Sequence, residues 1–117
     1  MLLPDLSKRI QLPEFETKAA ELAFLHKVWA QFQKDAALSG TTLTKPESLT
    51  VEELVKHTCD FLTTLSSETL DALCYRIDVP EHQSLALGQA PDYWVHLSYL
   101  LLNRCAVKVM LRQSFSK

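Results

Sequence analysis

The stretch from Pro91 to Phe115 carries apolar residues on almost every side of the helix that its sequence predicts. A helix on a protein surface needs only one apolar stripe, so this one must be buried against several neighbours. We therefore predict a long helix over about 91–114 as the centre of the core. Its apolar residues include Tyr93, Trp94, Val95, Leu97, Tyr99, Leu100, Leu101, Leu102, Cys105, Ala106, Val107, Val109, Met110 and Leu111.

Helical signals also occupy most of the chain before this stretch. Apolar residues recur at spacings of three and four, prolines stand where helices start, and Thr50 with Glu53 forms a capping box. Alternation with a period of two is absent, and the chain has only two glycines. We predict a single all-α domain over 1–117, an antiparallel bundle of four to five helices, with the earlier helices at about 13–37, 51–65, 67–77 and 80–87.

The charges of the chain are unevenly distributed. The formal net charge is −2 and the pI is near 6.0, which makes a dedicated nucleic-acid binder an unfavoured interpretation. From Asp92 onward, however, the chain contains four cations and one acid, so the last helix is basic in an otherwise acidic chain.

The sequence favours a reducing, aqueous compartment. The N-terminal residues include no apolar run of signal-peptide length, and the three cysteines, an odd number, lie far apart among apolar residues. Charged and polar residues interrupt the last helix, which excludes it as a membrane span. We expect a cytoplasmic protein with reduced thiols and no membrane association.

No pattern in the sequence indicates catalysis, a metal site or a cofactor. The four histidines lack ligand spacing, because His57 and Cys59 are two residues apart and point to different sides of a helix. Two isolated glycines cannot form a phosphate-binding loop. We therefore predict no catalytic residue and no cofactor, and a thiol-based enzyme is the least favoured alternative.

Two groups of residues are candidates for binding. We call Arg104, Lys108 and Arg112, which recur at steps of four, the basic row. The favoured interpretation is that these cations are solvated or paired within the chain. The alternative is a binding site for a phosphate or an acidic partner. The segment 75–79 is favoured as a structural corner, with Asp78 placed to cap a following helix or to pair with Arg76.

The run LDALCYRIDVPE, followed by Arg104, Lys108, Arg112 and Phe115, resembles a group of small uncharacterised bacterial helical proteins. These have a similar "LYRIDV" corner and an "R…K…R..F" ending, and Cys74 stands here where they have an apolar residue. The similarity covers about residues 70–115 and implies no activity. It does imply that six residues act together as one polar cluster: Tyr75, Arg76, Asp78, Arg104, Lys108 and Arg112.

The function that these observations favour is a non-catalytic protein-binding or scaffolding module, with a protein partner or a second copy of the chain. The excess of apolar residues on the two long helices motivates the homodimer. Binding of a phosphorylated ligand or nucleic acid at the basic row is the alternative.

Overall fold

The computed structural model describes residues 14–79 and 93–115, and these residues form four helices and no strand. The helices are α1 (Lys18–Leu38), α2 (Val51–Leu62), α3 (Ser67–Ile77) and α4 (Tyr93–Phe115). The all-α class is thus confirmed. The predicted helix at 80–87 and the predicted helix start at Pro91 lie outside the described residues.

Helix α1 begins later than its sequence pattern predicts. Thr17 has an extended backbone, and its hydroxyl accepts a hydrogen bond from the backbone N–H of Ala20 at 3.0 Å. This N-cap starts the helix at Lys18, so Glu14 and Glu16 precede the helix instead of occupying its first turn. A threonine cap satisfies a free N–H group directly, and this local hydrogen bond sets the boundary here.

Thr50 caps α2 as predicted, because its hydroxyl accepts from the backbone N–H of Glu53 at 3.1 Å. The helix ends at Leu62, three residues before the predicted end. Beyond it, the hydroxyls of Thr63 and Thr64 donate to nearby backbone carbonyls at 2.8 and 2.7 Å. These hydroxyls bond to carbonyls of the last turn of α2, where the helix gives way to a turn at 63–64.

Helix α3 has its predicted bounds and ends in a tight corner. Asp78 adopts the left-handed conformation (φ 68°, ψ 48°). The N–H of Val79 donates to the Cys74 carbonyl at 2.9 Å, and that of Asp78 to the Tyr75 carbonyl at 3.2 Å. These two bonds form a Schellman-type C-cap, in which asparagine or aspartate is tolerated better than other residues with a Cβ. The predicted structural corner is therefore present, with Asp78 closing α3.

Helix α4 lies at the centre of the core and contacts α1, α2 and α3. Leu97, Leu101, Leu102 and Cys105 are fully buried. Burying one leucine contributes roughly 2 kcal/mol to stability, so this helix supplies a large part of the driving force for folding. The rest of the core comes chiefly from Phe24, Leu25, Val28, Trp29, Phe32, Leu54, Leu62, Leu73 and Ile77.

Side-chain pairs show that α1 and α4 run antiparallel. Arg112 contacts Gln31, while Lys108 contacts Asp35, one helical turn further along α1. The numbers rise along one helix as they fall along the other, which defines the direction. Within the described ranges, no helix is both long and apolar enough to cross a membrane.

Candidate functional site

The basic row lies along the side of α4 that faces the C-terminal half of α1 and the end of α3. Its three residues share one side of the helix because steps of four return to nearly the same direction. Arg104 and Lys108 are partly buried, whereas Arg112, near the end of the helix, is exposed. Each of the three makes a hydrogen bond within the chain.

Lys108 forms the most buried contact of the row. Its Nζ lies 3.1 Å from Oδ2 of Asp35, whose side chain is only 6% exposed, and the Lys108 side chain is itself 30% exposed. The Gln31 amide donates to the same carboxylate oxygen at 3.1 Å. Lys108 also donates to the backbone carbonyl of Arg76 at 3.3 Å. One ammonium group therefore joins α1, α3 and α4.

Arg104 forms the second ion pair, with its Nη2 3.1 Å from Oδ2 of Asp78. The pair is open to solvent, with side chains 44% and 78% exposed, so it contributes no more than about 1 kcal/mol. The Nε of Arg104 is buried and has no hydrogen-bond partner. The sequence offered Arg76 as a partner of Asp78, and the resemblance grouped Asp78 with the basic row. In the structure Asp78 pairs with Arg104 of that row.

Arg112 donates from Nη2 to the side-chain carbonyl of Gln31. Gln31 thus accepts from Arg112 through its oxygen and donates to Asp35 through its nitrogen. The chain of contacts Arg112, Gln31, Asp35, Lys108 forms a polar ladder between α1 and α4, a name we use below for these four residues. Arg112 also lines an open groove between the same two helices.

The corner residues are split between this cluster and the outer surface. Asp78 pairs with Arg104, and Arg76 contributes only its backbone carbonyl to Lys108. Tyr75 is 89% exposed. With Leu38, Ser39, Ala72 and the Arg76 side chain, it lines a shallow pocket of 340 Å³. The structure thus links Asp78, Arg104 and Lys108 in one region, while the Tyr75 and Arg76 side chains line a separate pocket.

Sequence reasoning missed Asp35 and Gln31, the row's partners on α1. In the part of the chain that the structure describes, the ion pairs of the row use Asp35 and Asp78. The sequence did contain a signal that Asp35 has a cationic partner. Asp35 lies between apolar positions of α1 that face the core, and a carboxylate on such a face needs a cation.

Cys105, Cys59 and His57 are held in structural contacts within the fold. Burial raises the pKa of the Cys105 thiol, and the Asp35 carboxylate raises it further, so this group is a poor nucleophile in the folded state. Cys59 lies 3.3 Å from the Ser98 hydroxyl. His57 contacts the Thr44 hydroxyl at 3.0 Å and the edge of Trp29. Among the described residues, no three His, Cys, Asp or Glu side chains are placed to hold a metal ion.

Comparison of the chain with family models, with curated proteins and with solved structures gives no match. The resemblance to bacterial helical proteins with an "LYRIDV" corner therefore stays a prediction, and functional proposals must be based on the geometry.

Proposed function

We propose that this chain is a non-catalytic protein-binding module that associates with a second copy of itself through the exposed face of α3. The observation that carries the proposal is the 89% exposure of Tyr75 beside Leu38, which is 56% exposed. Tyrosine is among the residues that most often supply the energy of a protein interface. Two large apolar side chains that share one pocket offer more to a partner than scattered ones.

The surface around Tyr75 has the composition of a contact site. We call it the α3 patch: Leu38, Ala72, Tyr75 and Arg76, which together line the shallow pocket. Arg76 forms no ion pair with any residue that the structure describes, so its guanidinium is available to a carboxylate. Arginine and tyrosine at the centre of a patch, with aliphatic neighbours, match the pattern of interface hot spots.

The charge pattern of α3 favours a second copy as the partner. Glu68 and Arg76 are both exposed, and each lies four residues from Ala72 on the same side of the helix. In a two-fold symmetric contact centred on Ala72, two α3 helices run antiparallel, and Glu68 of each copy lies opposite Arg76 of the other. The small side chain of Ala72 permits close approach of the helices.

The wider setting of this proposal is a cytoplasmic protein whose helices form a bundle of four to five antiparallel members. The excess of apolar residues on the two long helices gives less support for a dimer, because most of those residues pack inside the chain. The α3 patch replaces it as the basis for self-association.

Ligand binding at the basic row is the second candidate, and the internal pairing makes it less favoured. A phosphate at Lys108 or Arg104 would compete with Asp35 or Asp78, which already hold these cations at 3.1 Å. Arg104 and Lys108 of the row therefore have a structural explanation as ion-pair partners within the chain.

Light scattering coupled to size exclusion tests the proposal over a series of protein concentrations. The apparent mass should rise from 13.3 kDa toward twice that value, and Tyr75→Ser should keep the chain monomeric. Leu22→Ser, a similar loss of an exposed apolar side chain at the other end of α1, serves as the control and should leave association unchanged.

A charge exchange tests the symmetric geometry. Arg76→Glu should weaken association by placing like charges opposite each other, and the double variant Glu68→Arg with Arg76→Glu should restore it. A 13.3 kDa monomer at every concentration would overturn self-association, and failure of the double variant to recover would overturn the antiparallel contact of α3.

A further inference from the structure

A groove of 530 Å³ runs between α1 and α4, on the outer side of the polar ladder. Its α1 side is formed by Lys27, Ala30, Gln31 and Lys34, which recur at steps of three and four along one face. Its α4 side is formed by the last turns of that helix, including Val109 and Arg112. A volume of this size falls within the range of small-molecule sites.

The described lining of this groove is positively charged. Three cations, Lys27, Lys34 and Arg112, line it together with the amides of Gln31 and Gln113, and the lining residues that the structure describes include no acid. The nearest carboxylate on α1, that of Asp35, is buried and paired with Lys108. In a chain of net charge −2, a groove whose described lining carries three cations and no acid favours anions.

The cations are spread along the groove. Lys27 and Lys34 are separated by seven residues, about 10 Å along the helix axis. Arg112 contacts Gln31, which lies between the two lysines on the same face, so the guanidinium is placed across the groove between them. This arrangement suits a ligand that carries several negative charges along a short chain.

The remaining lining residues add an apolar part to the site. Val109 is buried, with 3% exposure, and Ala30 presents only a methyl group. The exposed Ala30 and the methylene stems of the lysines offer an apolar surface beside the cations. An inorganic anion would leave this surface unused, whereas an organic group attached to the anion would cover it.

We infer that this groove binds a small organic diphosphate or triphosphate. Linked phosphates place negative charge along Lys27, Arg112 and Lys34, whose ammonium and guanidinium groups donate charge-assisted hydrogen bonds to phosphate oxygens. The organic part covers Ala30 and the apolar stems of the lysines. The site does not depend on self-association, because α3 contributes none of its lining residues.

Calorimetric titration of the full chain tests the inference, with adenosine diphosphate as the organic probe, pyrophosphate as the inorganic probe and adenosine as the uncharged probe. Adenosine diphosphate should bind most tightly, pyrophosphate more weakly, and adenosine not at all. Arg112→Gln or Lys34→Gln should weaken binding about tenfold each, the loss of one charge-assisted contact. Lys56→Gln removes the same charge from the exposed face of α2 and should leave binding unchanged.

Three outcomes would overturn the inference. If Lys56→Gln weakens binding as much as Lys34→Gln, only the net charge matters. If pyrophosphate binds as tightly as adenosine diphosphate, the apolar surface has no part. If single-stranded DNA binds while both diphosphates fail, the groove serves nucleic acid. Circular dichroism of each variant checks that the fold is retained.

Discussion

Replacement of Lys108 by methionine tests whether the polar ladder stabilises the fold. Methionine retains the apolar stem and removes the ammonium group that pairs with Asp35 at 3.1 Å. Because the Asp35 side chain is only 6% exposed, its carboxylate cannot turn to water without local rearrangement. It would keep only the hydrogen bond that Gln31 donates at 3.1 Å.

The expected loss of stability follows from the exposure of the Asp35 and Lys108 side chains. Removing one partner of a fully buried pair costs about 3–5 kcal/mol. Lys108 is 30% exposed and Gln31 remains as a donor, so we expect a smaller loss of about 2–3 kcal/mol in the free energy of unfolding. Asp35→Leu should cost less than Lys108→Met, since a partly exposed ammonium group can reach solvent whereas a buried carboxylate cannot.

Urea denaturation, followed by circular dichroism and by the fluorescence of the buried Trp29, measures this loss. With a slope of about 1.5 kcal/mol per molar urea, the midpoint should fall by roughly 1–2 M. Lys56→Met, at an exposed position of α2, should stay within about 0.5 kcal/mol of the native chain.

The double variant Asp35→Leu with Lys108→Met separates the ion pair from simple loss of contacts. An apolar pair of similar volume has no desolvated charge, so the double variant should recover most of the stability lost in Lys108→Met. The reasoning is refuted if Lys108→Met unfolds at the native midpoint, or if the losses of the single variants add in the double variant.

Two further expectations concern the α3 corner and the buried thiol. Asp78→Gly should stay within about 1 kcal/mol of the native stability, because glycine relieves the left-handed strain while the exposed pair with Arg104 is lost. Asp78→Val should lower the stability by about 2 kcal/mol. Thermal unfolding ranks the two variants, and equal melting temperatures would contradict this account. Cys105 should resist iodoacetamide in mildly alkaline solution while the chain is folded, because burial raises the pKa of its thiol, and it should be labelled once urea unfolds the chain. Mass spectrometry of the labelled peptides checks this, and labelling at equal rates in both states would contradict it.

Local signals in the sequence predicted the end of a helix correctly where a single capping hydrogen bond sets that boundary. Ser66 and Thr50 each cap a helix within three residues, so α3 has its predicted bounds and α2 its predicted start. The start of α1 was predicted too early because the acids at Glu14 and Glu16 suggested a first turn, while Thr17 supplies the cap. Composition and spacing alone do not decide between two such competing signals.

The site was harder to predict because its partners are distant in the chain. Sequence spacing identified Arg104, Lys108 and Arg112 as one side of a helix, but not the residues opposite them. Asp35 is 73 residues from Lys108, and only the packing of α1 against α4 brings them together. Lys27 and Lys34, which line the groove between α1 and α4, were also missed, because only the packing of these helices places them near Arg112.

The polar ladder has a consequence for synthesis of the chain. Asp35 leaves the ribosome well before Lys108, so during translation its carboxylate has no partner and the apolar face of α1 has no α4 to cover it. Contacts this distant in sequence form only after long loop closure, which slows folding. The contacts of α1 with α4 can therefore form only after α4 has been released, and until then the part of the apolar face of α1 that α4 covers is open to chaperones or to aggregation.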